Sequence, residues 1–171
     1  LRKQYYKESF KVVEPIEYIL HSKEKRSFHY VPILQSLQQL FDRRYVVDKV
    51  VENHKAQKIK RANGEQHIYR SFHDGSHIQE NSFLSGNELR ILLSLYIDAF
   101  EVCNPLGTSC KKYKLCGIYW TLSNLPLGSH SSLLSIYLAV LCKTVMYGYD
   151  RILCPLLQDV KTGEQDGTFV P

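Results

Sequence analysis

Three apolar runs that alternate in parity between residues 89 and 142 constrain this chain more than any other feature. In the first, Ile91, Leu93, Leu95, Ile97 and Ala99 fall on one side, and Ser94, Tyr96 and Asp98 on the other. In the second, Lys114 to Ser123, the residues Cys116, Ile118, Trp120 and Leu122 stand opposite Gly117, Tyr119, Thr121 and Ser123. In the third, Leu134, Ile136, Leu138, Val140 and Cys142 stand opposite Ser135, Tyr137 and Ala139. Successive side chains of a strand point to opposite faces. Each run therefore presents one wholly apolar face and one mixed face that carries a tyrosine. Strands of this kind suit a meander that packs on helices on one side and is partly covered on the other. Connections of roughly 10 to 15 residues are longer than a minimal hairpin, and such loops often carry function. A helical run from Tyr149 to about Lys161 follows, with Ile152, Leu153, Leu156, Leu157 and Val160 on one side. Pro155 predicts a late start or a kink in that helix, and Gly163 with Gly167 predict its end.

The upstream half divides by pattern. Residues 1–27 are basic, with scattered aromatics and little sustained periodicity. Residues 28–57 read as a helical segment. Pro32 opens it, and Ile33, Leu34, Leu37, Leu40 and Phe41 form a stripe at three- and four-residue steps. The pattern resumes with Tyr45, Val46, Val50 and Val51, which predicts one broken helix or a helix pair. A stripe of this composition is core packing rather than a cofactor site. Residues 58–88 form a polar connection punctuated by Gly64, Gly75 and Gly86, with room for a short hairpin. Residues 89–171 are then an α/β core in the order strand, strand, strand, helix.

Charge and cysteine content narrow the class. Residues 1–61 carry 14 Lys/Arg against 7 Asp/Glu, whereas the rest carries 8 against 10. A basic first third before a near-neutral core can touch a polyanion through phosphate contacts, and it also suits a solvated helix face. Lys111, Lys112 and Lys114 form a second basic cluster between two strand runs. Apolar residues at 44% and charged residues at 23% describe a globular chain rather than a disordered one. The longest apolar stretch, Leu133 to Cys142, is about half of the roughly 20 residues that a membrane helix needs, so no membrane partner is expected. The first residues carry no signal-peptide pattern. Cys103, Cys110, Cys116, Cys142 and Cys154 are odd in number and lack zinc-ligand spacing. Reduced thiols in the cytosol or nucleus are the expectation. His73 and His77 flank Gly75 in an expected loop and read as surface histidines. The chain opens on Leu1 and closes on Val170-Pro171, which reads as a segment cut from a longer protein.

Asp98 stands out. An ionised group on an otherwise apolar strand is costly unless it is solvated, paired or bound to metal. Glu101, three positions on, falls on the opposite face, so the two make no catalytic pair along a strand. Asp98 reads either as a site residue or as the strand's exit into the Asn104-Pro105-Leu106-Gly107 turn.

The runs SLYIDAFEVCNPLG (Ser94 to Gly107), KLCGIYWTLSNLP (Lys114 to Pro126) and YGYDRILCPLLQDVK (Tyr147 to Lys161) resemble DNA transposases of the CACTA type and related transposon-derived reading frames of vertebrate genomes. The resemblance covers residues 89–171, and extends more loosely to 28–56 through YVPILQSLQQLFD. It implies a partial RNase H-like fold, three antiparallel strands followed by a helix. It also implies phosphoryl-transfer chemistry in which three carboxylates hold two divalent ions, with Mg²⁺ suited to such oxygen-rich sites. Asp98 matches the first of those carboxylates and is thereby a metal ligand and catalytic residue, on the sheet's central strand. The family's other two lie downstream of the helix, so this chain would be the opening part of a nuclear transposase, inactive as it stands. The alternative is a non-catalytic transposon-derived remnant that binds DNA or protein. DNA is the implied partner, held at Lys111, Lys112 and Lys114, with self-association of the full-length protein as a further expectation. Gly163 stands where the family's pattern has an apolar helix residue.

Overall fold

The computed structural model describes residues 12–24, 26–63, 72–86, 88–101, 114–130, 132–143 and 148–167. It is a mixed α/β structure built from two compact units, each assembled from separate stretches of chain. One unit takes Leu1–Asp42, Leu95–Trp120 and Tyr137–Pro171, and the other takes Arg43–Ser94 and Thr121–Ile136.

The first unit holds a five-stranded antiparallel sheet. Its strands are β1 (Ile16–His21), β2 (Arg26–Tyr30), β3 (Leu93–Glu101), β4 (Lys114–Leu122) and β5 (Tyr137–Cys142), in spatial order β1-β2-β5-β4-β3. The three runs read from the sequence form the β5-β4-β3 part. The β1-β2 hairpin is an addition that the sequence pattern did not announce; it lies in the stretch read as basic and aperiodic and takes in residues 28–30, which the sequence pattern assigns to the start of the helical segment. It docks on β5 through Phe28↔Cys142 and Tyr30↔Val140. Two rows of side chains thus cross the sheet, Phe28–Cys142–Cys116 and Tyr30–Val140–Ile118, and all six are buried. Tyr18 of β1 extends the first row by stacking on Phe28, 5.1 Å between ring centroids.

Two helices cover this face. The first, α1 (Ile33–Phe41), buries Ile33, Leu37, Leu40 and Phe41, nearly the whole stripe seen in the sequence. Full burial of such side chains contributes about 1.5–3 kcal/mol each. The other helix, from Tyr149 to Asp166, is numbered last in chain order (α6) and packs on β2 and against α1. It neither starts late nor ends at Gly163. It runs through Pro155, forgoing one intrahelical bond, and Pro155 itself is buried. The continuation past Gly163 has a packing cause. A Cβ there would sit 3.0 Å from Leu34 Cδ2, so the absent side chain lets α1 and α6 approach. The helix stops at Gly167.

The sheet contains one irregularity with consequences for side-chain placement. Ile118 pairs with Val140 but Tyr119 pairs with Leu138, so Ala139 is extra on β5. Such a bulge shifts the alternation by one residue. Ala139 and Val140 are both wholly buried. Tyr137 arrives on the helix-covered face, stacked on Trp120 at 4.6 Å. The even alternation expected for Leu134 to Cys142 therefore fails. Leu138 falls on the face opposite Val140, and residues Leu133–Ser135 form a 3₁₀ turn ahead of the strand.

The second unit is built on α2 (Arg44–Ala62), which is longer than the helical segment expected to close at residue 57. Short turns follow: a 3₁₀ turn at Phe72–Asp74, α3 (Ser76–Glu80), α4 (Ser82–Ser85) and, after β4, α5 (Leu127–His130). Val46 and Val50 of α2 are buried, whereas Tyr45 is exposed. Asn124 ties the unit together. Its Oδ1 accepts from Leu92 N–H at 2.6 Å, its Nδ2 donates to the Arg90 carbonyl at 2.7 Å, and its carbonyl accepts from Asn53 Nδ2 at 2.8 Å. The neighbouring Ser123 bonds Leu92 through the backbone and Ser94 through its hydroxyl, at 2.8 and 2.6 Å. A buried amide with every one of these bonds made fixes geometry, and that explains why the strand ends in Ser-Asn at this point.

Candidate functional site

Asp98 lies in the interior of β3, three residues before its end, so it does not mark the strand's exit. Glu101 closes the strand and by alternation lies on the other face. The resemblance puts the aspartate on a central strand, whereas β3 stands at one end of the sheet order. Asp98 is exposed. The Tyr96 hydroxyl, two positions back on the same face, donates to its Oδ2 at 3.3 Å. Tyr96 packs in turn on Tyr119 of β4, with centroids 5.6 Å apart. The Asp98 charge is the main cause that raises the Tyr96 hydroxyl above its ordinary pKa. The tyrosines therefore mark the mixed face anticipated in the sequence, and Asp98 belongs to it.

Gly117 completes this surface. A Cβ at that position would fall 2.6 Å from the Tyr119 hydroxyl, because the Tyr119 ring lies back across the glycine. The bare backbone at 117 is thus what lets Tyr119 lie flat on the sheet beside Tyr96.

A divalent metal centre of the kind the resemblance implies needs several carboxylates around one point. Among the described residues no three His, Cys, Asp or Glu side chains converge. Asp98 takes its hydrogen bond from a tyrosine hydroxyl, with no second carboxylate bonded to it among the described residues. The described residues do not fit Mg²⁺ by themselves. Of the lysines read as DNA contacts, Lys114 is the exposed first residue of β4, and Lys111 and Lys112 lie outside the described residues. His73 is placed by a 3.2 Å contact of its Nε2 with the Ser123 carbonyl, and His77 stands in α3.

Cys116 and Cys142 are partners in register on β4 and β5, and the Cys142 thiol donates to the Cys116 carbonyl at 3.6 Å. Burial raises both thiols, Cys142 to about 11. Neither is poised as a nucleophile.

The basic first third is not an arm. Phe28, Tyr30, Ile33, Leu37, Leu40, Phe41, Val46 and Val50 are all core residues. The excess of cations instead collects on α2, which carries Arg44, Lys49, Lys55, Lys58, Lys60 and Arg61 against Asp48 and Glu52. Sequence reading registered the charge but not that one helix gathers so much of it, because α2 has hardly any amphipathic contrast to mark it.

Comparison with known proteins adds no relative: no family model, curated protein or solved structure matches this chain.

Proposed function

We propose that this chain is a transposase-type segment, part of a nuclear protein whose complete form cuts and joins DNA, and that by itself it holds DNA without cutting it. The observation that carries this reading is the run of three neighbouring strands, β3, β4 and β5, leading into a long helix, with Asp98 exposed on the first strand. That is the order of elements which the resemblance implies, with a carboxylate on the first of the three strands. The test is a longer product that contains this segment and cleaves DNA strands. Asp98→Asn is expected to abolish cleavage there while leaving folding intact, and undiminished cleavage would sink the proposal. The 171-residue chain alone, with Mg²⁺ supplied, is expected to leave DNA whole.

A second reading, a non-catalytic remnant that binds DNA, is favoured by the net positive charge of α2. It predicts salt-sensitive, sequence-tolerant binding. Removing residues 1–61 cannot test it, since the deletion takes away β1, β2, α1, nearly all of α2 and a large share of the core. Charge substitutions on α2 can.

A further inference from the structure

The second unit contains a cleft of about 40 Å³ between α2, the turns that follow it and the Glu88–Leu92 stretch. Lys58 and Arg61 of α2, His54, His73 and Arg90 line it, with Glu88 as the opposing charge. Three fixed cations face one carboxylate, and the space admits a small group rather than a base or a peptide.

Arg90 is held at this cleft from both ends. Its carbonyl is bound by Asn124 Nδ2, and Asn124 is itself bound to Asn53 of α2. Its guanidinium lies 3.8 Å above the Phe83 ring and donates from Nη2 to Glu88 Oε2 at 3.0 Å. The adjacent Nε is buried and has no acceptor among the described residues. A guanidinium held this rigidly, next to Lys58 and Arg61, suits a tetrahedral anion that offers several acceptor oxygens. The Arg61 guanidinium makes no hydrogen bond or ion pair among the described residues. The cleft opens along a helix whose other lysines extend the positive field, which favours a polymer of phosphates over a lone ion.

We infer that this cleft binds one backbone phosphate of a nucleic acid, with Lys58, Arg61 and Arg90 as the contacting side chains. This rests on the reading of the chain as a DNA-handling segment, and it names the part of the molecule that does the handling. The contact is to phosphate alone, so it is indifferent to base sequence.

The experiment is fluorescence anisotropy of a labelled short duplex with the full chain across a salt series. The double variant Lys58→Gln/Arg61→Gln is compared with Lys49→Gln/Lys55→Gln, which removes the same charge from exposed positions of α2 outside the cleft. The slope of log K against log salt is expected to become shallower by about 1 for the cleft variant, as loss of one phosphate contact requires, and to change by less than half as much for the control. Equal changes in the two variants would mean diffuse helix charge, and would overturn the cleft while leaving DNA binding in place. An unchanged slope in the cleft variant would do the same. No binding of DNA by the parent chain would overturn the functional reading along with it. Inorganic phosphate provides the second arm. If it raises the unfolding temperature through Lys58 and Arg61 while the duplex does not bind, the site takes free phosphate and the nucleic-acid assignment fails.

Discussion

Replacing Tyr30 with Phe removes one oxygen atom and is expected to destabilise the first unit by about 3 kcal/mol. The hydroxyl has two partners. It donates to Asp159 Oδ2 of α6 at 2.6 Å and accepts from the Ile33 N–H at 3.0 Å. The second bond serves as a cap, because α1 starts after Pro32, which offers no side-chain acceptor to the first turn. A hydrogen bond to a charged acceptor is worth about 1.5–3 kcal/mol, and a buried N–H left without a partner costs about 1–3 kcal/mol. Water can reach the half-buried Asp159 and recover part of the first term, so the sum settles near the lower end of the combined range of about 2.5–6 kcal/mol. Phe preserves the ring and its packing, leaving no cavity to confuse the result. Urea titration followed by the fluorescence of Trp120, the sole tryptophan, reads the change directly. The pH dependence gives an independent check. Burial first, then the bond to Asp159, raises the Tyr30 hydroxyl far above its ordinary value of 10. The folded state keeps a proton that the unfolded state loses, so this stabilisation is whole below pH 10 and declines as the pH rises beyond it. The decline is about 1.4 kcal/mol per pH unit, and the Phe variant lacks that contribution. A variant within about 0.5 kcal/mol of the parent, well below the hydrogen-bond range, would refute the reasoning. So would identical pH slopes.

Other perturbations test other parts of the same structure. With Cys103, Cys110 and Cys154 replaced by Ser, the remaining Cys116 and Cys142 are expected to resist a thiol reagent at neutral pH until the chain unfolds; fast native labelling would contradict their burial. Their raised values also mean that the stabilisation they contribute is present below the thiol's unfolded pKa and lost as pH climbs through the folded one, about 11 for Cys142. Gly163→Val is expected to cost about 2 kcal/mol or more by overpacking against Leu34, and an unchanged urea midpoint would contradict the close approach of α1 and α6. Asp98→Asn is expected to lower the Tyr96 pKa, measurable by NMR of ring-labelled tyrosine, and a fixed value would remove Asp98 as the cause of the shift.

One strand, β4, was legible because burial imposed parity, whereas β3 is exposed along nearly its whole length and the face read as wholly apolar puts Leu95 and Ile97 in solvent. In β4, Cys116, Ile118, Trp120 and Leu122 are all buried, as their alternation promised. The stripe of α1 was equally plain. The β1-β2 hairpin escaped because β1 is an outermost strand whose first four residues are exposed, so neither of its faces had to be apolar. What fixes β2 is its pairing with β5, a tertiary cause that leaves little local signature. The bulge at Ala139 was hidden for a different reason. Leu138 and Val140 are both apolar, so the reversal of faces between them changes no residue class. At the candidate site, Asp98 was visible as a charge on an apolar run, but its tyrosine partner and its place at the end of the sheet were not. The cleft escaped altogether. It draws its lining from α2, the turns around residues 73–92 and Asn124, and no window of sequence contains them together.

The partner of β2 has a consequence for how the chain comes to be folded. Tyr30 pairs with Val140, about 110 residues further along. Synthesis at about 5–20 residues per second delivers that partner some 6–20 seconds after the hairpin emerges. Through that interval Phe28 and Tyr30 lack the β5 side of their burial and the outer edge of β2 has no strand to bond. Pairing at such separation also places loop closure before reward, the condition that slows folding. A nascent chain of this kind is most vulnerable to aggregation through its first thirty residues, and a chaperone that covers them until residue 142 has left the ribosome would raise the yield of folded protein.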